Sequence, residues 1–204
     1  MADHGLTPTA ALAGIASVGR HGLRAGAPGL VIQEQDGQQI VSLAARHGQA
    51  RALADAVRQR WQVELPFTPR FVEAEGGIAF VWSGADQWLA IAAPDEADLE
   101  AALHAAAPSI AAINAHGDGR VVLRLSGPAV RDVLAGVLPI DLHPRAFRPG
   151  DTAITLAGQI GVQIRQIDDA PSYEVMAFRS YAASLFHAVL EAGLKFGVEV
   201  LPPV

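Results

Sequence analysis

Seven histidines, His4, His21, His47, His104, His116, His143 and His187, are the first side chains here that could hold a metal or move a proton. None stands two or four residues from another, the spacings that place two imidazoles on one side of a strand or helix. Asp141 and His143 are two apart and would point the same way from an extended segment. A metal site needs three or four ligands, and only two are visible. A polar corner before Pro144 also closes an Asx-type turn on its own backbone, which accounts for it without an ion. Ser126-Gly127 lies between a strand pattern and a helix pattern, the topology of a nucleophile elbow. That elbow needs glycine two residues before and two after the serine, where Arg124 and Pro128 stand, so Ser126 reads instead as a helix N-cap. Gly117-Asp118-Gly119 precedes a strand, whereas a dinucleotide loop follows one, and it reads as a turn. The acid pairs Asp95-Glu96 and Asp168-Asp169 fall in turns or helix starts. Trp61, Trp82 and Trp88 could line a pocket, but such rings ordinarily build cores or interfaces. Arg145, Arg148, Arg165 and Arg179 are spread over the last third, and spacing does not say which of them faces an acid.

Composition narrows the classes further. The 204 residues contain no cysteine, which removes disulfides, thiolate nucleophiles and cysteine-ligated metal or iron–sulfur centres. A formal charge of −6, with lysines and arginines scattered singly, argues against nucleic acid as a partner, because that affinity rests on clustered phosphate contacts. Half of the residues are hydrophobic and the mean hydropathy is +0.25, yet apolar runs such as Ile78 to Val81 are too short to cross a bilayer. The N-terminus lacks the charged and apolar regions of a signal peptide. No membrane association and a cytoplasmic location are expected.

The elements that must position these residues follow from periodicity. Residues 1–29, rich in Ala, Gly and Pro, read as an extended arm lying over a surface; order begins at Leu30. Leu30–Gln33 and Gln39–Ala44 are strand patterns around Asp36-Gly37, a hairpin signal. Gly48–Trp61 is amphipathic, with Ala50, Leu53, Ala54, Val57 and Trp61 on one face. Strands at 78–82 and 87–92 flank Ser83–Asp86, and a helix at 96–106 begins with Asp95 as N-cap. Strands at 109–115 and 120–125 flank His116–Gly119, and a helix follows Pro128. Strands at 153–156, 160–167 and 173–178 precede a closing helix at 180–196, with Gly197 placed to cap it. Strand-strand-helix thus recurs three times, which predicts an α+β class of antiparallel sheets packed with helices, residues 30–204 forming a single domain. No catalytic set emerges from these residues.

Three stretches carry a resemblance. Pro139-Ile140-Asp141-Leu142-His143-Pro144-Arg145-Ala146-Phe147 with Pro149-Gly150 is the most specific. Asp168–Glu174 with Phe178-Arg179-Ser180-Tyr181-Ala182 and Phe196-Gly197 is the second, and the tryptophan-bounded stretch Trp82–Leu89 is the third. Together they resemble the gamma subunit of bacterial heterotetrameric sarcosine oxidase from about Leu30 onward. His116-Gly117-Asp118-Gly119-Arg120 departs from the family, which commonly leads into Gly-Arg with an Asp-Gln-Ser type of sequence. The resemblance implies the fold of the folate-binding domain of the glycine-cleavage aminomethyltransferase. It implies alpha, beta and delta subunits as partners, in a complex that oxidises sarcosine to glycine and hydrogen peroxide, the carbon leaving as formaldehyde or 5,10-methylenetetrahydrofolate. FAD, FMN, NAD, tetrahydrofolate and zinc are then expected on the partner subunits. This chain is expected to hold none of them and to carry no catalytic residue. Asp141, His143, Arg145 and Arg179 are the expected subunit contacts, the competing reading being that the charged corner only locks a turn. A gamma-like subunit of N-methylglutamate dehydrogenase and a stand-alone folate-binding protein are the alternatives that share this pattern.

Overall fold

Alternation along Arg120–Ser126 sorts its side chains to two different cores. Val121, Leu123 and Leu125 enter one apolar cluster, while Val122 enters another. The same division runs through both sheets of the protein. The computed structural model describes residues 9–95 and 97–204. The first eight residues of the arm, His4 and the predicted helix start Glu96 lie outside them.

Among the described residues the strands are β1 Gly19–His21, β2 Leu30–Glu34, β3 Gln39–Ala45, β4 Phe71–Glu73, β5 Ala79–Gly84, β6 Gln87–Ala92, β7 Ala111–Ala115, β8 Arg120–Ser126, β9 Thr152–Ala157, β10 Ile160–Asp168, β11 Ser172–Phe178 and β12 Val198–Val200. The helices are α1 Ala50–Trp61, α2 Leu99–Ala106, α3 Val130–Ala135 and α4 Ala182–Gly193. Seven strands form one sheet in the order β1-β12-β2-β8-β11-β10-β9; five form a second, β4-β5-β6-β3-β7. Every pairing is antiparallel except β12 with β2. The α+β class stands.

Three cores define four layers. Val130, Leu134, Leu185 and Phe186 of α3 and α4 pack on one face of the larger sheet, against Leu30, Leu123 and Val175. Leu53, Val57, Leu99 and Leu103 of α1 and α2 pack on one face of the smaller sheet, against Leu43, Phe80 and Trp88. Ile40, Val81, Leu89 and Ile91 of the smaller sheet meet Val122 and Met176 of the larger, so the two sheets stack through their inner faces. The tryptophans belong to the smaller sheet's core. Trp61 meets Phe80 edge-on, and the Trp88 indole N–H donates to the Pro66 carbonyl at 2.6 Å.

Two of the expected hairpins are crossovers instead. β2 pairs with β8 and β12 in the larger sheet, and β3 with β6 and β7 in the smaller; β7 and β8 are likewise divided. Asp36-Gly37 and His116–Gly119 do turn the chain, with Gly37 at φ 69°, but a turn residue reports a change of direction and not which strands pair. Because β2 neighbours β8 and β3 neighbours β7, the two crossovers run side by side as one antiparallel ribbon folded over between the sheets.

Helix starts also differ from expectation. α2 is capped by Asp98, whose carboxylate accepts the Ala101 N–H at 3.0 Å, and not by Asp95. Ser126 ends β8, and α3 begins after Ala129 with no side-chain cap, because Gly127 (φ 111°) and Pro128 make a turn first. The arm supplies β1, and Leu12 enters the larger core.

Gly127 sets how closely this turn approaches the loop before β2. A Cβ there would lie 2.6 Å from the Gly29 carbonyl oxygen, on a backbone conformation that L side chains rarely adopt. Gly127→Ala is expected to cost about 2 kcal/mol or more in urea unfolding of the purified protein.

Candidate functional site

Among the described residues, two gatherings of ionisable side chains follow from the stacking of the sheets. The first is a row across the inner face of the larger sheet. The strand register sets Thr152 opposite Arg165, Arg165 opposite Glu174, Glu174 opposite Arg124, and Arg124 opposite Gln33. Glu174 is buried and accepts from Arg165 Nε at 2.9 Å and Nη2 at 2.6 Å, a charge-assisted pair held away from water. Arg124 approaches Glu174 at 3.7 Å and Asp168 at 3.7 Å, and the Ser172 hydroxyl donates to Asp168 at 2.7 Å. That hydroxyl, ahead of the Ala170 amide and Arg124, holds the Asp168 carboxyl below its usual range. The Arg165 guanidinium also lies over the Phe71 ring, 5.0 Å from its centroid, and so ties β10 to β4 of the other sheet. Glu174 is thus the acid that Arg165 faces. Spacing along the chain does not show which strand lies alongside Arg165; the register of β10 with β11 does.

The second place is a cleft of ≈460 Å³ at the fold of the ribbon. Gln35, Asp36 and Gln38 come from the β2–β3 crossover, Gly117 and Asp118 from the β7–β8 crossover, and Arg120 and Arg179 from the larger sheet and the turn after β11. Arg120 stacks on the Phe178 ring at 4.0 Å, and burial lowers its pKa from the ordinary arginine value. Arg179 donates to the Thr9 carbonyl, which anchors the arm. Glu34 lies behind the cleft with its carboxylate accepting the Ala11 and Leu12 amides at 2.7 and 3.2 Å. Burial raises its pKa above 4.5 in spite of those two bonds.

The expected contact residues divide between separate positions. Asp141, His143 and Arg145 lie together in the corner after α3, all exposed, on a stretch anchored by buried Leu142 and Phe147. The Asp141 carboxylate accepts the His143 amide at 2.9 Å, and His143 Nδ1 accepts the Arg145 amide at 3.2 Å. Two of the three side chains therefore fix the corner's own backbone, as an Asx-type turn does. The Arg145 guanidinium makes no hydrogen bond or ion pair among the described residues. Arg179 is elsewhere, at the cleft. No three His, Asp or Glu side chains converge as metal ligands among the described residues, and no helix among them is long and apolar enough to cross a membrane. Glu34 and Arg120 were not singled out from sequence; only the crossover topology brings their strands to the same cleft.

The sarcosine oxidase gamma subunit family model matches residues 46–194. The chain belongs to that family. The gamma subunit from Corynebacterium sp. strain P-1 is 34% identical over 152 residues, covering 72% of this chain and 71% of the relative. The gamma subunit from an Arthrobacter species is 32% identical over 126 residues, 60% of each chain. In three dimensions a chain of heterotetrameric sarcosine oxidase from Corynebacterium sp. U-96 superposes with a TM-score of 0.74 at 27% identity, over 84% of this chain and 87% of that one. Glycine cleavage aminomethyltransferase T from Bartonella henselae shares the fold, with a TM-score of 0.64 at 14% identity over 85% of this chain and 48% of that protein. Within the gamma family match fall the buried row from Thr152 to Glu174, both crossover-cleft arginines and the Asp141 corner.

Glu174→Gln removes the partner of a buried guanidinium and is expected to cost about 3 kcal/mol or more. The apolar double change Arg165→Met with Glu174→Met is expected to recover most of that loss, which a double-mutant cycle in urea measures. Glu34 gives a pH signature. Its folded pKa lies above the unfolded value, so the folded state binds the proton more tightly, and stability falls as pH rises past 4.5 and through the folded pKa. Glu34→Gln is expected to flatten that segment of the pH–stability profile.

Proposed function

We propose that this chain is the gamma subunit of a heterotetrameric sarcosine oxidase and serves the complex as an architectural component without catalytic residues of its own. The observation that carries this reading is the likeness, in sequence and fold together, to a chain of the Corynebacterium sp. U-96 heterotetramer. The charge chemistry of the site supports it. Arg165, Glu174, Arg124 and Asp168 are engaged with one another across strands, an arrangement that fixes the sheet and offers no free acid or base to a substrate.

In this proposal the partners are alpha, beta and delta subunits. The assembly converts sarcosine to glycine and hydrogen peroxide, and the methyl carbon leaves as formaldehyde or as 5,10-methylenetetrahydrofolate. FAD, FMN, NAD, tetrahydrofolate and zinc belong to the partners, so no step of the reaction is routed through this chain. Residues 30–204 act as one domain, with residues 1–29 as its arm, and the complex works in the cytoplasm. Arg145 is the contact residue best supported within the corner. Asp141 and His143 are occupied by the local backbone, while its guanidinium is exposed and uncommitted among the described residues.

Co-expression with the genes beside this one, followed by native mass spectrometry, tests the reading. A flavin-coloured, four-component species that turns over sarcosine is expected. A colourless monomer that binds tetrahydrofolate would replace the proposal with a stand-alone folate-binding protein, and turnover of N-methylglutamate instead of sarcosine would reassign the complex. Arg145→Ala is expected to weaken the tetramer and leave this chain's own melting temperature unchanged, since the Asx-type turn needs only the Arg145 amide. The opposite pattern would remove Arg145 from the interface.

A further inference from the structure

Among the described residues four strands end the two sheets, and three of those edges are defended against further pairing. Natural proteins blunt an edge by shortness, charge, proline or a bulge, because unpaired backbone groups otherwise recruit another strand. β1 is three residues long, and its Arg20 pairs with Glu199 at 3.7 Å. β4 is also three residues long and ends in Glu73. β7 carries a charge at its edge, where the Glu100 carboxylate of α2 accepts the Ala115 amide at 3.2 Å.

β9 has none of these protections. Its six residues, Thr-Ala-Ile-Thr-Leu-Ala, include no charge and no proline, and its register with β10 runs unbroken from Thr152↔Arg165 to Ala157↔Ile160. The two-residue turn Gly158-Gln159 makes Ala157 and Ile160 a mutually hydrogen-bonded pair. Alternation then turns the N–H and C=O groups of Ile154 and Leu156 away from β10. Thr152, next in that outward series, shows what this side accepts: its N–H donates to the Pro69 carbonyl at 3.1 Å. Ile154 and Leu156 have no such partner among the described residues. The two residues are 53% and 50% exposed. Leu156 stands opposite Gly161, at which an added Cβ would meet nothing within 4 Å, so no side chain of β10 covers it there. A six-residue uncharged strand of this composition is an aggregation hazard if it stays bare.

We infer that β9 is a strand-addition site, where an extended segment of a partner subunit joins the larger sheet through the outward amides and carbonyls of Ile154 and Leu156. This rests on the gamma-subunit reading, which supplies the partner. The edge specifies its chemistry: an extended backbone that pairs at every second residue, with apolar side chains at the alternate positions facing Ile154 and Leu156. A second copy of this chain is a different occupant, and the experiment tells the two apart.

The test uses the co-expressed complex. Hydrogen–deuterium exchange across residues 152–159 is expected to show the Ile154 and Leu156 amides protected more than about tenfold over the rate of unstructured peptide. Ile154→Lys with Leu156→Lys is expected to weaken assembly at least about tenfold, equivalent to 1.4 kcal/mol. Ile154→Pro is the second variant. Of the backbone groups it deletes only an outward N–H and leaves the β9–β10 ladder intact, so it is expected to weaken assembly without unfolding the chain. A wild-type complex in which these amides exchange freely, or a proline variant that assembles like wild type, overturns the inference and leaves the gamma reading standing. Protection in a species made only of this chain makes β9 a self-association edge and also overturns it. Failure of the wild-type chain to join any neighbouring subunit overturns the gamma reading first, and this inference with it.

Discussion

The folded-over ribbon is the constraint on which the rest of the structure depends. β2 and β8 pair in one sheet, β3 and β7 in the other, and the same two lengths of chain run through both pairs. Val41 follows Glu34 by seven positions on one length, and Leu123 follows Ala115 by eight on the other, so the pairing slips by one residue at the fold. A one-residue slip exchanges the faces of a strand. Here it is required: Leu30 and Ile32 face the outer helices in β2, whereas Val41 and Leu43 do so in β3. The extra residue is absorbed by a single turn of 3-10 helix at Gly117–Gly119. Without the slip, one half of the ribbon would present its polar side to a core.

The cleft and the buried row follow from this geometry. Folding the ribbon holds the two sheets together at one end and opens a space where both crossovers leave the ladder, which is why that space is lined by loop residues of both connections. Away from the fold the inner faces close on Val122, Met176, Leu89 and Ile91, and then give way to the Arg165–Glu174–Arg124 row. Burying that many charges gains little net stability but makes any other alignment of β8, β11 and β10 expensive, since a shifted strand would leave a guanidinium or carboxylate unpaired. In this fold the row works as a register lock.

What the sequence revealed, and what it hid, divides along the same line. Features set by neighbours in sequence were legible. The apolar stripe of α1, the β5–β6 hairpin around Ala85-Asp86 and the cap at Gly197 all express local period or turn chemistry. Features set by partners far along the chain were not. Asp36-Gly37 looked like a hairpin because its turn chemistry is the same whether the next strand folds back or crosses to another sheet. Glu174 could not be joined to Arg165 and Arg124 without the order β10-β11-β8. The three-residue strands β1, β4 and β12 are too short for alternation to show. Of the expected contacts, the Asp141–Arg145 corner was legible as a turn, while Arg179 acquires its place only from a cleft built by two distant crossovers.

The position of β12 has a consequence for how the molecule is made. In the larger sheet β12 lies between β1 and β2, pairing antiparallel with one and parallel with the other. β1 and β2 are therefore made well before the strand that separates them, and wait on either side of a slot that residues 198–200 fill. Until then Leu30 and Ile32 border an open edge, and β1 has nothing to attach to. Closure of the larger sheet therefore follows synthesis of every other described strand, and the nascent chain carries an unfilled gap from the making of β2 until β12 appears.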